Sequence, residues 1–289
     1  MGGYESPSVG PVLSEYRVSH PFGDGDFVTR VRLYAGIPRI DIHTQILNND
    51  RFVRYRVLFP TSIRNGKRVD EIPFGAIERP SSQEFPAQNW FDYGDGTEGL
   101  AVVNRGLPGS NVVDGTLLLS LMRSARINAY PIVEGYEEGV SSDSGLELGK
   151  RLTFDYALVP HAGDWREAGV YRTGLEFNNP LIARKVARHA GTLPKRWGLL
   201  EVSHPNVVVS ALKPGRDGTA VLRVYEASGH STPGVKITLQ AQLDFAFEAN
   251  LIEQPAGKLN IRDNALQFDL GPFEIKTFQL HLVASRTPR

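Results

Sequence analysis

The sequence predicts an all-β protein, and three observations predict it. Short apolar runs alternate with polar residues at a period of two. Glycine and proline, 29 and 19 of them in 289 residues, recur along the whole length. No long amphipathic stretch could serve as a crossover helix between parallel strands. Residues 28–34 set Val31 and Leu33 against Arg30 and Arg32. Residues 39–47 set Ile40, Ile42 and Ile46 against Arg39, Asp41 and His43. Side chains on a strand point to opposite faces in turn, so each run reads as a half-buried strand. Residues 54–59 end on Pro60, where a strand is expected to stop. Residues 99–104 and 116–122 are more continuously apolar and read as buried strands. Residues 151–159 alternate again, with Leu152, Phe154, Tyr156 and Leu158 on one face.

The one helix candidate is residues 180–190, whose apolar spacing supports at most a turn or two. The alternation lapses over residues 178–197, broken at Asn178-Asn179-Pro180 and at Leu193-Pro194-Lys195. Strands resume at 206–212, 220–226, 235–239 and 273–280. The expected organisation is a main β domain over 1–195 and a smaller β-sandwich layer over 196–289, packed on it, of about ninety residues.

Composition narrows the function. A hydrophobic fraction of 41% and a charged fraction of 22% are those of a globular protein with a sizeable core. Lys+Arg and Asp+Glu are both 32, a formal net charge of +0, which argues against a general nucleic-acid binder and against a polybasic membrane contact. The absence of cysteine removes disulfides, thiolate metal sites and a thiol nucleophile. No run of about 18 apolar residues offers a membrane span. With no signal-like start, the sequence points to the cytoplasm, and Met1-Gly2-Gly3 reads as an added leader on a domain cut from a longer chain.

Five segments, in order, carry a resemblance: Gly36-Ile37-Pro38-Arg39-Ile40-Asp41; Ile72-Pro73-Phe74-Gly75-Ala76-Ile77-Glu78-Arg79-Pro80 with Phe85-Pro86-Ala87-Gln88-Asn89-Trp90-Phe91; Gly99-Leu100-Ala101-Val102-Val103-Asn104-Arg105-Gly106-Leu107 leading to Leu121-Met122-Arg123-Ser124; Ser210-Ala211-Leu212-Lys213 with Leu222-Arg223-Val224-Tyr225-Glu226; and Glu248-Ala249-Asn250-Leu251-Ile252-Glu253 with the closing Pro272-Phe273-Glu274-Ile275-Lys276-Thr277. Together they resemble the C-terminal region of family 38 glycoside hydrolases, the α-mannosidases. The resemblance implies a large antiparallel β supersandwich of galactose-mutarotase-like topology. It also implies a partner, the catalytic domain of the same enzyme, which would hold the zinc and the aspartate nucleophile. The segments carrying those groups have no counterpart here. The expectation is therefore a non-catalytic β portion that supports hydrolysis of an α-mannoside, with no metal of its own, and that has a further capacity to form a homo-oligomer. A stand-alone carbohydrate-binding or mutarotase-like module is the alternative.

Candidate residues follow. No catalytic residue is marked, because a retaining glycosidase needs two carboxyls about 5–5.5 Å apart and no spacing singles out such a pair. Arg123 ends an apolar strand, where a charge is costly unless partnered. The resemblance brings that strand near the catalytic domain, so Arg123 is a substrate-rim candidate. Pairing with Glu78 is the plainer role. Trp90, Tyr93 and Gln88, with Phe91, form an aromatic and amide cluster in a Gly-rich loop. Such groups stack on sugar rings and bond hydroxyls, and equally well plug a core. Asp41 and His43, two apart on a strand, could share an ion, although a solvent-facing strand edge explains them as well. Asp24, Asp26, Asp92 and Asp95 read as turn aspartates rather than calcium ligands. His161 raises the question of acid–base work near neutral pH, against a plain loop role. Arg223 and Glu226 read as a structural ion-pair network, with Lys213 capping the same sheet, and Glu78 and Arg79 as a charge pair at a strand end.

Overall fold

A computed structural model describes residues 3–4, 7–128, 141–192 and 194–283. Leu193 and the Met1-Gly2 start lie outside the described residues. The chain divides into two compact units. One comprises Met1–Ile72 and Ile77–Pro180, the other Pro73–Ala76 and Leu181–Arg289.

The first unit is built on a 10-stranded sheet. Its order runs Gly3–Tyr4, Leu13–Phe22, Gly25–Tyr34, Ile40–Asn48, Lys150–Ala162, Glu98–Asn104, Trp90–Gly94, Lys67–Ile72 and Gly75–Arg79, with Ser8–Val9 beside Leu13–Phe22. A second sheet of four strands, Val53–Pro60, Thr116–Ser124, Gly109–Val113 and Phe85–Pro86, supplies the opposing layer. Neighbouring strands run antiparallel in both sheets. The core lies between the sheets: Ile42, Ile46, Phe91, Val102 and Tyr156 from the large one pack with Tyr55, Val112, Leu117 and Leu119 from the small one. Alternation decides which face is which. On Ile40–Asn48, Ile42, Thr44, Ile46 and Asn48 are buried, while Asp41, His43 and Gln45 turn to the outer face. Thr116–Ser124 buries Leu117, Leu119 and Leu121 in the same way, before a bulge between Ser120 and Met122 shifts its register.

The second unit has a three-stranded sheet (Leu200–Val202, Thr232–Leu239, Ala265–Leu270) and a five-stranded sheet. The latter runs Val207–Pro214, Ala220–Glu226, Ile275–Val283, Gln242–Ala249 and Pro255–Leu259. Its core joins Leu222, Val224 and Phe278 from the wider sheet to Val235, Ile237 and Leu266 from the narrower one. All-β architecture is thus what the chain adopts.

The helix expectation is corrected. Residues 180–190 have no regular structure, and the one α-helix among the described residues is Val170–Asn178. It starts after Gly169, whose φ of 64° is a left-handed value that glycine adopts without strain. It buries Val170, Tyr171, Gly174 and Phe177, a helical spacing. Its β-branched and glycine content hid it from propensity. No helix among the described residues is long and apolar enough to cross a membrane.

Candidate functional site

Arg123 is exposed at the end of Thr116–Ser124, so its charge carries no burial cost. Its backbone lies opposite Arg54. Glu78 is not its partner, because Glu78 meets Lys67 at 3.2 Å. Arg123 lines a groove of about 400 Å³ with Leu107, Pro108, Met122, Arg54 and Glu84. Arg54 donates to both Glu84 and the Ser120 hydroxyl, and Ser120 donates to Glu84 at 3.0 Å. Partial burial opposes ionisation of Glu84, but those donors and the Arg54 charge outweigh it and hold the carboxyl below its ordinary value. Glu84 is therefore a fixed acceptor on the groove wall. No ion pair to Arg123 occurs among the described residues, which leaves its guanidinium available to a ligand or a neighbouring chain segment.

The aromatic cluster is a strand, Trp90–Gly94, rather than a loop, and period two sends its rings to opposite faces. Tyr93, 6% exposed, joins the inter-sheet core, and its hydroxyl accepts the Gly66 N–H at 3.1 Å. Trp90, 1% exposed, lies on the other face against Trp165, ring centroids 5.0 Å apart. Gly174 of the helix presses on it so closely that a Cβ there would stand 2.7 Å from the indole. Gln88 is exposed just before the strand, and its N–H donates to the Glu71 carbonyl at 3.0 Å. The four rim candidates are accordingly not brought together in this chain. Of them, Arg123 and Gln88 present side chains to solvent.

The remaining candidates resolve individually. Asp41 and His43 do share the outer face, yet each is already engaged. Arg39 clasps Asp41 through two bonds of 2.5 and 3.0 Å, and His43 Nδ1 meets Asp155 at 2.7 Å. Among the described residues no three His, Asp or Glu side chains form a metal-binding group. His161 is not a loop residue but ends Lys150–Ala162, where it bonds Asp92 through Nε2 at 2.9 Å. Burial works against protonating His161, but the Asp92 bond and charge outweigh it and raise its pKa. Asp95 accepts the N–H groups of Thr97 and Glu98, an ordinary turn role, and Asp26 pairs with Arg151 at 3.1 Å. Asp24 donates its N–H to Asp50.

Arg223 and Glu226 do not pair with each other. Arg223 bonds Thr277 and the Leu251 carbonyl. Glu226, fully buried, accepts N–H bonds from Ser228, Gly229, His230 and Phe273. Lys213 reaches Glu253 at 2.6 Å. Arg79 turns to the buried Asp70 at 3.5 Å rather than to Glu78.

Two features escaped the sequence. Glu71, on Lys67–Ile72, is buried at 7% exposure and accepts the Asn89 N–H at 2.7 Å; burial pushes its pKa up to about 7. Arg105 and Phe177, from a loop and the unforeseen helix, close a pocket over Asp41, His43 and Asp155. Neither had a signal, since each depends on pairing across strands far apart in sequence.

Comparison with known proteins places these features in a family. Residues 4–130 match the Glycosyl hydrolases family 38 C-terminal domain, and residues 206–278 match the Glycosyl hydrolases family 38 C-terminal beta sandwich domain. Alpha-mannosidase 2C1 of Mus musculus is 31% identical over 269 residues, covering 87% of this chain and 24% of the relative. Its Homo sapiens counterpart is 30% identical over 268 residues, with the same coverage of 87% and 24%. The chain thus spans about a quarter of the length of the curated relatives it matches. A glycosyl hydrolase family 38 protein of known structure, from Enterococcus faecalis, superposes with a TM-score of 0.78 at 20% identity, covering 96% of this chain and 36% of that one.

Proposed function

This chain belongs to the C-terminal β region of glycosyl hydrolase family 38, and on that basis we propose that it is the non-catalytic β portion of an α-mannosidase-like hydrolase. In this reading it partners the catalytic domain and contributes Arg123 to the rim where an α-mannoside binds. The observation that carries the role is the Arg123 groove, an exposed guanidinium with no ion pair among the described residues beside a fixed Glu84 acceptor and an apolar wall. A guanidinium offers five donors in a rigid fork, suited to sugar hydroxyls or to a carboxylate across a domain boundary. Support for a non-catalytic role comes from Glu84 itself. A nucleophile needs a free carboxylate facing a second carboxyl, whereas Glu84 is the one carboxylate lining the groove and is tied to Arg54 and Ser120.

Hydrolysis of a chromogenic α-mannoside tests this, with and without zinc, by the 289-residue chain and by a longer version carrying the upstream coding sequence. Activity is expected in the longer protein alone, and Arg123→Ala there is expected to lower kcat/KM by about tenfold, on the order of one lost charged hydrogen bond. Turnover by the shorter chain would sink the proposal.

A further inference from the structure

The outer face of the large sheet carries an array of charged side chains. His43 stands opposite Arg30 on one neighbouring strand and Asp155 on the other, and Asp41 stands opposite Arg32. Over this array lies a pocket of about 280 Å³, walled by Tyr34, Arg39, Arg105 and Phe177. It shares no lining residue with the Arg123 groove.

Its polar groups are held in place before any ligand arrives. Asp155 takes His43 Nδ1 at 2.7 Å through one oxygen and Arg105 at 3.4 Å through the other. That pairing fixes the imidazole and leaves Nε2 as the ring nitrogen available to a ligand in the cavity. Arg39 is locked by its two bonds to Asp41. The Phe177 ring contacts both guanidiniums, 5.0 Å from Arg39 and 4.6 Å from Arg105, and Arg105 also donates to the Phe177 carbonyl. Rigid, prepaired donors and acceptors lose little entropy on binding.

The chemistry of the occupant follows from charge and size. Three guanidiniums, of Arg32, Arg39 and Arg105, meet three carboxylates, of Asp41, Asp155 and Glu176. An anion would face those carboxylates and a cation the guanidiniums, so neither is favoured. A neutral polyol meets alternating donors and acceptors and can use both without breaking a pair. An arginine donor beside an aspartate acceptor can bond neighbouring hydroxyls on one ring. The volume lies just below the roughly 300–1,000 Å³ range of small-molecule pockets. It therefore suits one sugar ring rather than a chain. Tyr34 and Phe177 are the aromatic side chains lining the pocket, where they can meet the ring's C–H groups.

We propose that this outer-face pocket binds a single neutral hexopyranose, held by Arg39, Asp41, His43 and Arg105, at a site separate from the Arg123 groove. The inference uses no family relationship and stands or falls apart from the α-mannosidase reading. Ligand-observed NMR titration of the full chain with the methyl pyranosides of mannose, glucose and galactose tests it, with inorganic phosphate as competitor. Saturable binding in the millimolar range is expected for at least one glycoside. His43→Gln and Arg105→Lys should each weaken it about tenfold, Lys258→Ala, an exposed position outside both the pocket and the Arg123 groove, should leave it unchanged, and phosphate should not displace it. Four results would overturn the proposal: no saturation up to about 100 mM sugar, undiminished binding in both pocket variants, loss of binding in Lys258→Ala, or displacement by phosphate.

Discussion

Glu71 titrates near neutral pH, and the reason is local. Its carboxyl is buried and accepts a backbone N–H, but among the described residues no cation is paired with it, so burial lifts its pKa from 4.5 to about 7. The sign follows by linkage. An acid whose folded pKa is raised holds its proton in the native state after the unfolded chain has released it. Stability therefore falls as pH rises from about 4.5 through about 7, by on the order of 3 kcal/mol. Glu71→Gln keeps an oxygen for the Asn89 N–H and removes the titration. Urea unfolding should find this variant more stable than the parent at pH 8 and close to it at pH 5. A difference independent of pH would refute the account. His161 has linkage of the same sign. Its pKa is raised by Asp92 against the pull of burial, so that contribution is complete below the unfolded value near 6.5 and is lost as pH rises through the folded one. Neither shift could be read from the sequence, because Glu71 is raised by burial that only the fold creates and His161 by Asp92, 69 positions away.

At the scale of elements, alternation was readable and burial was not. Arg39, Asp41 and His43 against Ile40, Ile42 and Ile46 already assigned the two faces of one strand, and the structure keeps that assignment. The same rule applied to Trp90 and Tyr93 separates them onto opposite faces. The Gly-rich surroundings instead invited a loop reading that gathered them. What the sequence could not supply was the cover on the Trp90 face, the helix Val170–Asn178 with Gly174 against the indole. An exposed helix would gain from replacing a mid-helix glycine by about 0.5–1 kcal/mol. Here a new methyl would meet Trp90, so Gly174→Ala should destabilise by about 1–3 kcal/mol despite its better propensity. In a Trp90→Ala background, which removes the atoms that the methyl strikes, Gly174→Ala should cost less than it does in the parent. Thermal unfolding of these variants decides it, and a stabilised Gly174→Ala would mean the helix stands farther from the sheet.

The molecule as a whole rests on two hydrophobic clusters that share no residue, one between the sheets of each unit. Composition announced enough apolar residues for such cores, and the lapse of alternation near residue 180 marked a change along the chain. Which strands face one another was hidden, because pairings such as Glu98–Asn104 with Lys150–Ala162 join segments about 50 residues apart. Separate clusters make a local prediction. Phe278 is fully buried on Ile275–Val283 and meets Phe268 at 4.7 Å between ring centroids. Phe278→Ala removes a large side chain from the centre of the second cluster and should cost about 3–5 kcal/mol there. Native-state hydrogen exchange should then show faster exchange in Ala220–Glu226, Thr232–Leu239 and Ile275–Val283. The amides of Ile40–Asn48 and Glu98–Asn104, whose packing involves none of those side chains, should keep their protection. Equal loss of protection in both sets would mean that the two clusters unfold as a single cooperative body.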